Sequence, residues 1–95
     1  MVKEYKNEKI EEIKDLTILD FYADWCGPCK MLSKILEQLD VNILKINVDE
    51  NEELAKEYRV MSIPNLFFVK DGVVKDQLIG FHSKDDLEEK INELK

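Results

Sequence analysis

The sequence predicts an α/β fold built on a mixed sheet, and three observations lead to it. A strand, an amphipathic helix and a second strand follow one another between residues 16 and 48, in the order of a parallel βαβ unit. Two runs of strand-favouring residues flank Asp71-Gly72, which is a strong hairpin signal, so an antiparallel pair joins the parallel one. Ser83 and the apolar residues that follow it at helical spacing predict a final helix.

The remaining elements follow from apolar periodicity. Residues 2–5 predict a short edge strand, and residues 7–14 a short helix that Asn7 caps and that turns Ile10 and Ile13 inward. The other predicted strands are rich in apolar and β-favouring residues and cover 16–23, 41–48, 65–70 and 73–79. The other predicted helices begin at residue 26 or 28, at 52 and near 83, and the first two end at 39 and 58.

Length and charge limit what the chain does. Its 95 residues and 44% hydrophobic content suit one domain over residues 1–95 with its own core. The net charge of -7 argues against a nucleic-acid or anionic-membrane surface. No apolar run has the length of a membrane span, and the first residues lack the core of a signal peptide. We therefore expect a cytoplasmic protein that binds neither nucleic acid nor membrane.

Both cysteines lie in the segment 25–30, Trp-Cys-Gly-Pro-Cys-Lys, where the strand 16–23 gives way to a helix. Residues i and i+3 of a helix are one turn apart, close to the roughly 5 to 6 Å between Cα atoms that a disulfide needs. Helix N-termini stabilise anions, so we expect the pKa of the Cys26 thiol to lie below that of free cysteine. Pro28 suits the first turn of that helix.

A pair of cysteines at this spacing also occurs in zinc and iron–sulfur sites and as a structural disulfide. Zinc takes four ligands, whereas the chain holds two cysteines and one histidine, His82, far from them in sequence. A metal shared between two chains is the form in which this alternative stays open. In a reducing compartment, a redox role or a metal site is favoured over a structural bridge.

Asp20 stands inside the apolar strand 16–23. A carboxylate in such surroundings should be desolvated and hard to ionise. The alternative is a partly exposed strand residue that pairs with a lysine.

Several segments resemble the thioredoxin family. They are residues 20–30 (DFYADWCGPCK), 45–49 (KINVD), 63–64 (IP), 70–72 (KDG) and Gly80. The resemblance implies the thioredoxin fold, a three-layer α/β/α arrangement around a central mixed sheet of four to five strands. Gly-Pro between the cysteines resembles the reducing members more than isomerases, oxidases or glutaredoxins. The chain departs from the family pattern at Tyr22, where tryptophan is frequent, and at Asn65, where threonine is usual.

The resemblance also implies a role for each residue of the site. Cys26, which lies at the helix end and should be the more exposed and more acidic thiol, attacks a substrate disulfide, and Cys29 then attacks Cys26 and releases the reduced substrate. Asp20 serves as general base and acid for Cys29, and Lys45 tunes Asp20. For Lys45 a solvated strand lysine is an equally open reading.

Substrate binding is expected beside the dithiol. In the family the proline matching Pro64 is preceded by a cis bond, and the backbone of the residue before it pairs with an extended substrate segment. Met61 and Phe81 are candidates for an apolar rim beside it. The predicted substrate-binding residues are Trp25, Gly27, Pro28, Ile63, Pro64 and Gly80.

These features predict a thiol–disulfide oxidoreductase that reduces protein disulfides, acting as a monomer. We expect no cofactor other than the Cys26–Cys29 disulfide itself, because the chain has no Gly-rich phosphate motif. Electrons would then come from a partner, thioredoxin reductase, and pass to disulfide-containing proteins. The alternatives are a thioredoxin-fold binding subunit or scaffold whose dithiol is incidental, and a disulfide isomerase or oxidase.

Overall fold

A computed structural model describes residues 1–95 and contains one five-stranded sheet. The strands are β1 (Val2–Glu4), β2 (Thr17–Tyr22), β3 (Asn42–Asn47), β4 (Asn65–Lys70) and β5 (Val73–Ile79). They lie in the order β1-β3-β2-β4-β5. The first three are parallel to one another, and β4 and β5 run antiparallel to their neighbours. The predicted mixed sheet is confirmed, with the edge strand included.

Helices cover both faces of this sheet. They are α1 (Gly27–Leu36), α2 (Glu52–Glu57) and α3 (Lys84–Leu94). Ile18 of β2 packs in one core cluster with residues of α1 and α3. Leu19, its neighbour in sequence, packs in a second cluster with side chains from α2, because successive strand residues point to opposite faces. The three-layer arrangement is therefore confirmed. None of the helices is long and apolar enough to cross a bilayer.

The helix predicted over residues 7–14 is wrong. Only a single 3₁₀ turn, Ile10–Glu12, forms there, and Asn7 has a φ of 67°, which is unlike the extended backbone of a helix cap. The carbonyls of Ile13 and Lys14 accept hydrogen bonds from the amides of Gly72 and Asp71, at 2.6 and 2.9 Å. The β4–β5 turn thus takes up the carbonyls with which the helix would have continued.

The other boundaries lie within three residues of those predicted. The largest difference is the end of α1, which lies at Leu36, three residues before Leu39. Beyond that point Leu39 donates to the carbonyl of Leu36 at 3.2 Å, so the chain tightens into an i to i+3 turn. Leu39 nevertheless stays buried. Ser83 caps α3 as predicted, accepting a hydrogen bond from the amide of Asp86 at 3.2 Å.

Candidate active site

The dithiol segment links the end of β2 to the start of α1. Cys26 is the N-cap of α1, with extended backbone angles, and Cys29 lies in the first turn. The two form a disulfide with a Cα separation of 5.3 Å, within the predicted range. The Cys26 sulfur accepts a hydrogen bond from the Cys29 amide at 3.2 Å, as a capping oxygen does in other helices. Pro28 lies in the first turn, where its missing amide proton costs nothing.

This capping geometry bears on the reduced protein. A thiolate at Cys26 that keeps the position of the sulfur accepts the same amide proton, and it lies at the positive end of the helix dipole. Both effects stabilise the anion. Disulfide sulfurs do not titrate, so the lowered pKa of Cys26 stays a prediction.

The exposure expected of Cys26 is not found in this oxidised form. Cys26 is 5% exposed and Cys29 is 4% exposed, so burial does not separate the two. Ala23, Ile63 and Val48 pack against the cysteine pair, and the Ile63 carbonyl oxygen lies 4.0 Å from the Cys26 sulfur. The expectation that Cys26, the outer cysteine, is more exposed than Cys29, the inner one, is therefore wrong for the oxidised form, because these residues pack against the pair.

The loop before β4 faces the outer sulfur. Its Ile63–Pro64 bond is cis, as the resemblance implies, with Pro64 buried and Ile63 half-buried. The Gly80 amide donates to the Pro64 carbonyl at 2.8 Å, which brings the end of β5 beside this loop. Gly80 has a φ of 87°, and a Cβ added to it meets no atom within 4 Å. The glycine is therefore required by its backbone conformation and leaves open space at its side.

Exposed apolar side chains occur close in sequence to Cys26, Ile63 and Gly80. Trp25 is 70% exposed, Met61 93% and Phe81 45%, as expected for an apolar rim. The Trp25 indole nitrogen donates to an Asp49 carboxylate oxygen at 2.8 Å, which fixes the orientation of the ring. Sequence reasoning missed Asp49, because nothing in the segment 45–49 says which side chain it meets. Gly27 and Pro28 are exposed, and the space beside Gly27 is open.

Asp20 lies beneath this site and is almost fully buried, at 2% exposure. Burial raises the pKa of Asp20 to about 7, with a smaller rise from the charge of Glu4 and an opposing effect of Lys45. Its Oδ1 atom has no hydrogen-bond partner. The predicted desolvation of this carboxyl group is thus present, and the exposed alternative is wrong. Asp20 lies on the same face of β2 as Ile18, whose cluster includes α1 residues.

Lys45 is the register partner of Asp20 on the neighbouring strand. Its ammonium nevertheless donates to the Ser33 hydroxyl at 3.2 Å and lies 4.4 Å from the centre of the Tyr22 ring. It forms no ion pair with Asp20, whose charge it therefore influences only through space. Ser33 and Tyr22 are contacts that the sequence motif did not predict.

A cleft on the surface reaches the inner cysteine. It has a volume of ≈ 290 Å³, and its lining includes Cys29, Ser33, Tyr22 and Lys45. His82 is not part of this site, since it contacts the Ile79 carbonyl and Asp86 instead. No cluster of three or more metal-binding side chains occurs in the structure.

Known proteins have similar sequences over most of this chain. The model of the Thioredoxin family matches residues 1–93. The thioredoxin of Bacillus subtilis is 47% identical over 86% of this chain and 85% of its own length. That of Listeria monocytogenes is 41% identical over 97% of each.

Solved structures agree with the sequence comparison. A mutant thioredoxin from Halobacterium salinarum superposes with a TM-score of 0.87 at 34% identity, covering 97% of this chain and 88% of that one. A second structure, whose title concerns thiol resolving in yeast mitochondrial 1-Cys peroxiredoxin by the glutathione and thioredoxin systems, has a TM-score of 0.85 at 33% identity. It covers 97% of this chain and 94% of that one.

Proposed function

Because the chain belongs to the thioredoxin family, it is a thiol–disulfide oxidoreductase that reduces protein disulfides, and we propose that Cys26 is its nucleophile and Cys29 its resolving thiol. One observation carries this assignment. The Cys26 sulfur caps α1, accepts the amide proton of Cys29 and faces the Ile63 carbonyl. The outer sulfur is therefore the one that combines anion stabilisation with a neighbouring backbone on which a substrate docks.

The reaction proceeds in two exchanges. The Cys26 thiolate attacks one sulfur of the substrate disulfide, forming a mixed disulfide, while the other substrate sulfur leaves as a thiolate. Cys29 then loses its proton and attacks the Cys26 sulfur. The Cys26–Cys29 disulfide forms, and the second substrate sulfur leaves. Two electrons have passed from the dithiol to the substrate.

Asp20 is the proposed proton acceptor for Cys29. A base transfers protons efficiently when its pKa lies near the working pH, and burial raises the pKa of Asp20 to about 7. Its position in the layer between β2 and α1 supports this role, as does the unpartnered Oδ1 atom. Lys45 tunes the carboxyl group through space.

The proposed docking surface is the segment Ile63–Pro64 with the rim around it. An extended substrate segment pairs with the Ile63 backbone beside the Cys26 sulfur, and main-chain recognition of this kind tolerates many side chains. Trp25, Gly27 and Pro28, which adjoin Cys26 in sequence, are the proposed border of this surface, and Gly80 leaves room for a partner's backbone. We infer broad specificity for protein disulfides.

The electron source follows from the chemistry. Once oxidised, the Cys26–Cys29 disulfide must be reduced again before the next turnover, and we propose thioredoxin reductase as the partner that does so. Disulfide-containing proteins are the partners on the other side, and the redox-active pair itself carries the electrons. The monomeric state and the cytoplasmic location stay predictions.

A trapping experiment tests the assignment of the two thiols. In Cys29→Ser the second exchange is blocked, so the variant should accumulate mixed disulfides with a model protein disulfide, visible as dithiothreitol-sensitive bands on a non-reducing gel. Cys26→Ser is the matched control and should form none. Trapping by Cys26→Ser instead would reverse the roles. A double serine variant has no dithiol to donate electrons and should reduce no disulfide; if it still replaced the wild-type protein in cells, the scaffold alternative would be favoured.

A further inference from the structure

Lys45 stands between two carboxylates and pairs with neither. It is in register with Glu4 of β1 on one side and with Asp20 of β2 on the other, so the three side chains project from the same face of the sheet. An ion pair with either carboxylate requires the ammonium nitrogen to lie within about 4 Å of a carboxylate oxygen. No ion pair of Lys45 with either residue is present.

Two other side chains hold the ammonium instead. The Ser33 hydroxyl, on the facing side of α1, accepts its hydrogen bond at 3.2 Å. The Tyr22 ring lies 4.4 Å below the nitrogen, within the range of a cation–π contact. The Tyr22 hydroxyl in turn donates to a Glu4 carboxylate oxygen at 2.7 Å. This hydrogen bond occupies the Glu4 carboxylate and holds the Tyr22 ring in contact with the Lys45 ammonium.

This arrangement lies in the wall of the cleft that reaches Cys29. Tyr22, Ser33, Lys45 and Cys29 all line that cleft, while Asp20, the register partner of Lys45, is buried at 2% exposure. The position of the Lys45 ammonium therefore determines how strongly its positive charge acts on the Asp20 carboxyl group.

Resting on the proton-transfer role proposed for Asp20, we propose that Ser33 and Tyr22 are positioning residues: they hold the Lys45 ammonium at the cleft wall and keep it from pairing with Asp20. The Asp20 carboxyl group is thereby left free to take and return the proton of Cys29. Lys45 acts on it at a distance rather than through contact.

The charges around Asp20 make the position of Lys45 the decisive variable. Lys45 of β3 lowers the pKa of Asp20, and Glu4 of β1 raises it, both less than burial does. The neighbour on the β4 side is Leu66, which is apolar and buried. The cleft lining also includes the charged residues Asp24, Lys30, Lys34 and Glu37, but the charges that shift the pKa of Asp20 are those of Lys45 and Glu4. Contact with an ammonium lowers the pKa of a carboxyl group by about 1 to 3.

The test follows the Asp20 titration by carboxyl-carbon NMR in the oxidised protein, which requires no turnover. In Ser33→Ala the ammonium loses its acceptor and turns to the unpartnered Asp20 oxygen. The titration midpoint should fall by about 1 pH unit or more. Ser33→Thr, which keeps the hydroxyl, should restore the original midpoint. Tyr22→Leu, which removes the ring and keeps apolar bulk, should lower it as Ser33→Ala does.

A double variant separates positioning from a general structural effect. In a Lys45→Gln background no ammonium is present, so adding Ser33→Ala should leave the Asp20 midpoint where Lys45→Gln alone puts it. A midpoint that stays or rises in Ser33→Ala, or a shift that persists without Lys45, overturns the proposal. The pH–rate profile of Asp20→Asn tests the proton-transfer role separately, so failure of that role is distinguishable from failure of this inference.

Discussion

The two sides of the Cys26–Cys29 disulfide differ far more than the two sulfurs do. On the outer side lie Trp25, Met61 and Phe81, which are apolar and exposed. On the inner side lie the buried carboxyl group of Asp20 and the cleft whose lining includes Lys45 and Cys29. The cysteines themselves are almost equally buried. The difference teaches that each sulfur takes its role from its surroundings: a docking surface and a capping amide outside, a proton acceptor inside.

The largest effect is expected on the inner side of the disulfide, where the ionisation of Asp20 changes the free energy of unfolding. The pKa of Asp20 is about 7 in the folded chain, above its ordinary value of 3.8, so ionisation opposes folding. The contribution of Asp20 to the free energy of unfolding is fully present below about pH 4. It is lost as the pH rises through about 7, which lowers the free energy of unfolding by up to about 4 kcal/mol. Asp20→Asn has no charge to lose. Denaturant unfolding of the oxidised protein at pH 4 and pH 8 should show a fall in wild type and little change in the variant.

The same variant connects stability with catalysis. Asp20→Asn should slow disulfide reduction at neutral pH and remove the dependence of the rate on a group that titrates near pH 7. Asp40→Asn is the matched control, because Asp40 is an exposed aspartate in the connection between α1 and β3, and it should leave both measurements unchanged. An unaltered pH–rate profile in Asp20→Asn would make Asp20 a structural residue.

A smaller effect is expected on the outer side. Trp25→Ala removes an exposed aromatic side chain next to Cys26 and its hydrogen bond to Asp49. The loss should lower kcat/KM for a protein disulfide about tenfold, equivalent to about 1.4 kcal/mol. For a small aromatic disulfide the change should be under about twofold, because little docking area is involved. Equal losses for both substrates would place Trp25 in the chemistry rather than in docking.

Val73→Ala is the control for the outer side. Val73 is also an exposed apolar residue, at 53%, but it lies at the end of β5 opposite Gly80. Its truncation should leave kcat/KM unchanged for both substrates.

The smallest effect is expected away from both sides. Ser83 caps α3 through the Asp86 amide, and Ser83→Ala should cost about 1 kcal/mol of unfolding free energy. Neither side of the dithiol is altered, so the reduction rate should not change. A lowered rate at a temperature where the variant is fully folded would show that α3 contributes to the site.

The thioredoxin fold predicted from the sequence is confirmed. The prediction failed where contacts between segments far apart in sequence determine the local structure. Period-2 and helical patterns located the strands and three helices, because burial on one face repeats along the chain. The segment 7–14 carries a helical pattern as well, yet the Asp71-Gly72 turn takes its last carbonyls. No local pattern reports a hydrogen bond to a turn so far along the chain.

The site shows the same limit. The motif located both cysteines and Asp20, since strand, cap and proline are local features. It did not show that the Ser33 hydroxyl and the Tyr22 ring hold the Lys45 ammonium. Those contacts join α1, β2 and β3, and they depend on the register of the strands. Nor did it show that packing by Ile63 covers both sulfurs alike.

The account depends most directly on the acidity of the outer thiol, which alkylation of the reduced protein measures. Iodoacetamide labelling across pH, with mass spectrometry to locate the label, should show Cys26 reacting first, with a midpoint clearly below the value of about 8.5 for free cysteine. Labelling of Cys29 first, or a Cys26 midpoint at or above that of free cysteine, would contradict the assignment of Cys26 as the nucleophile.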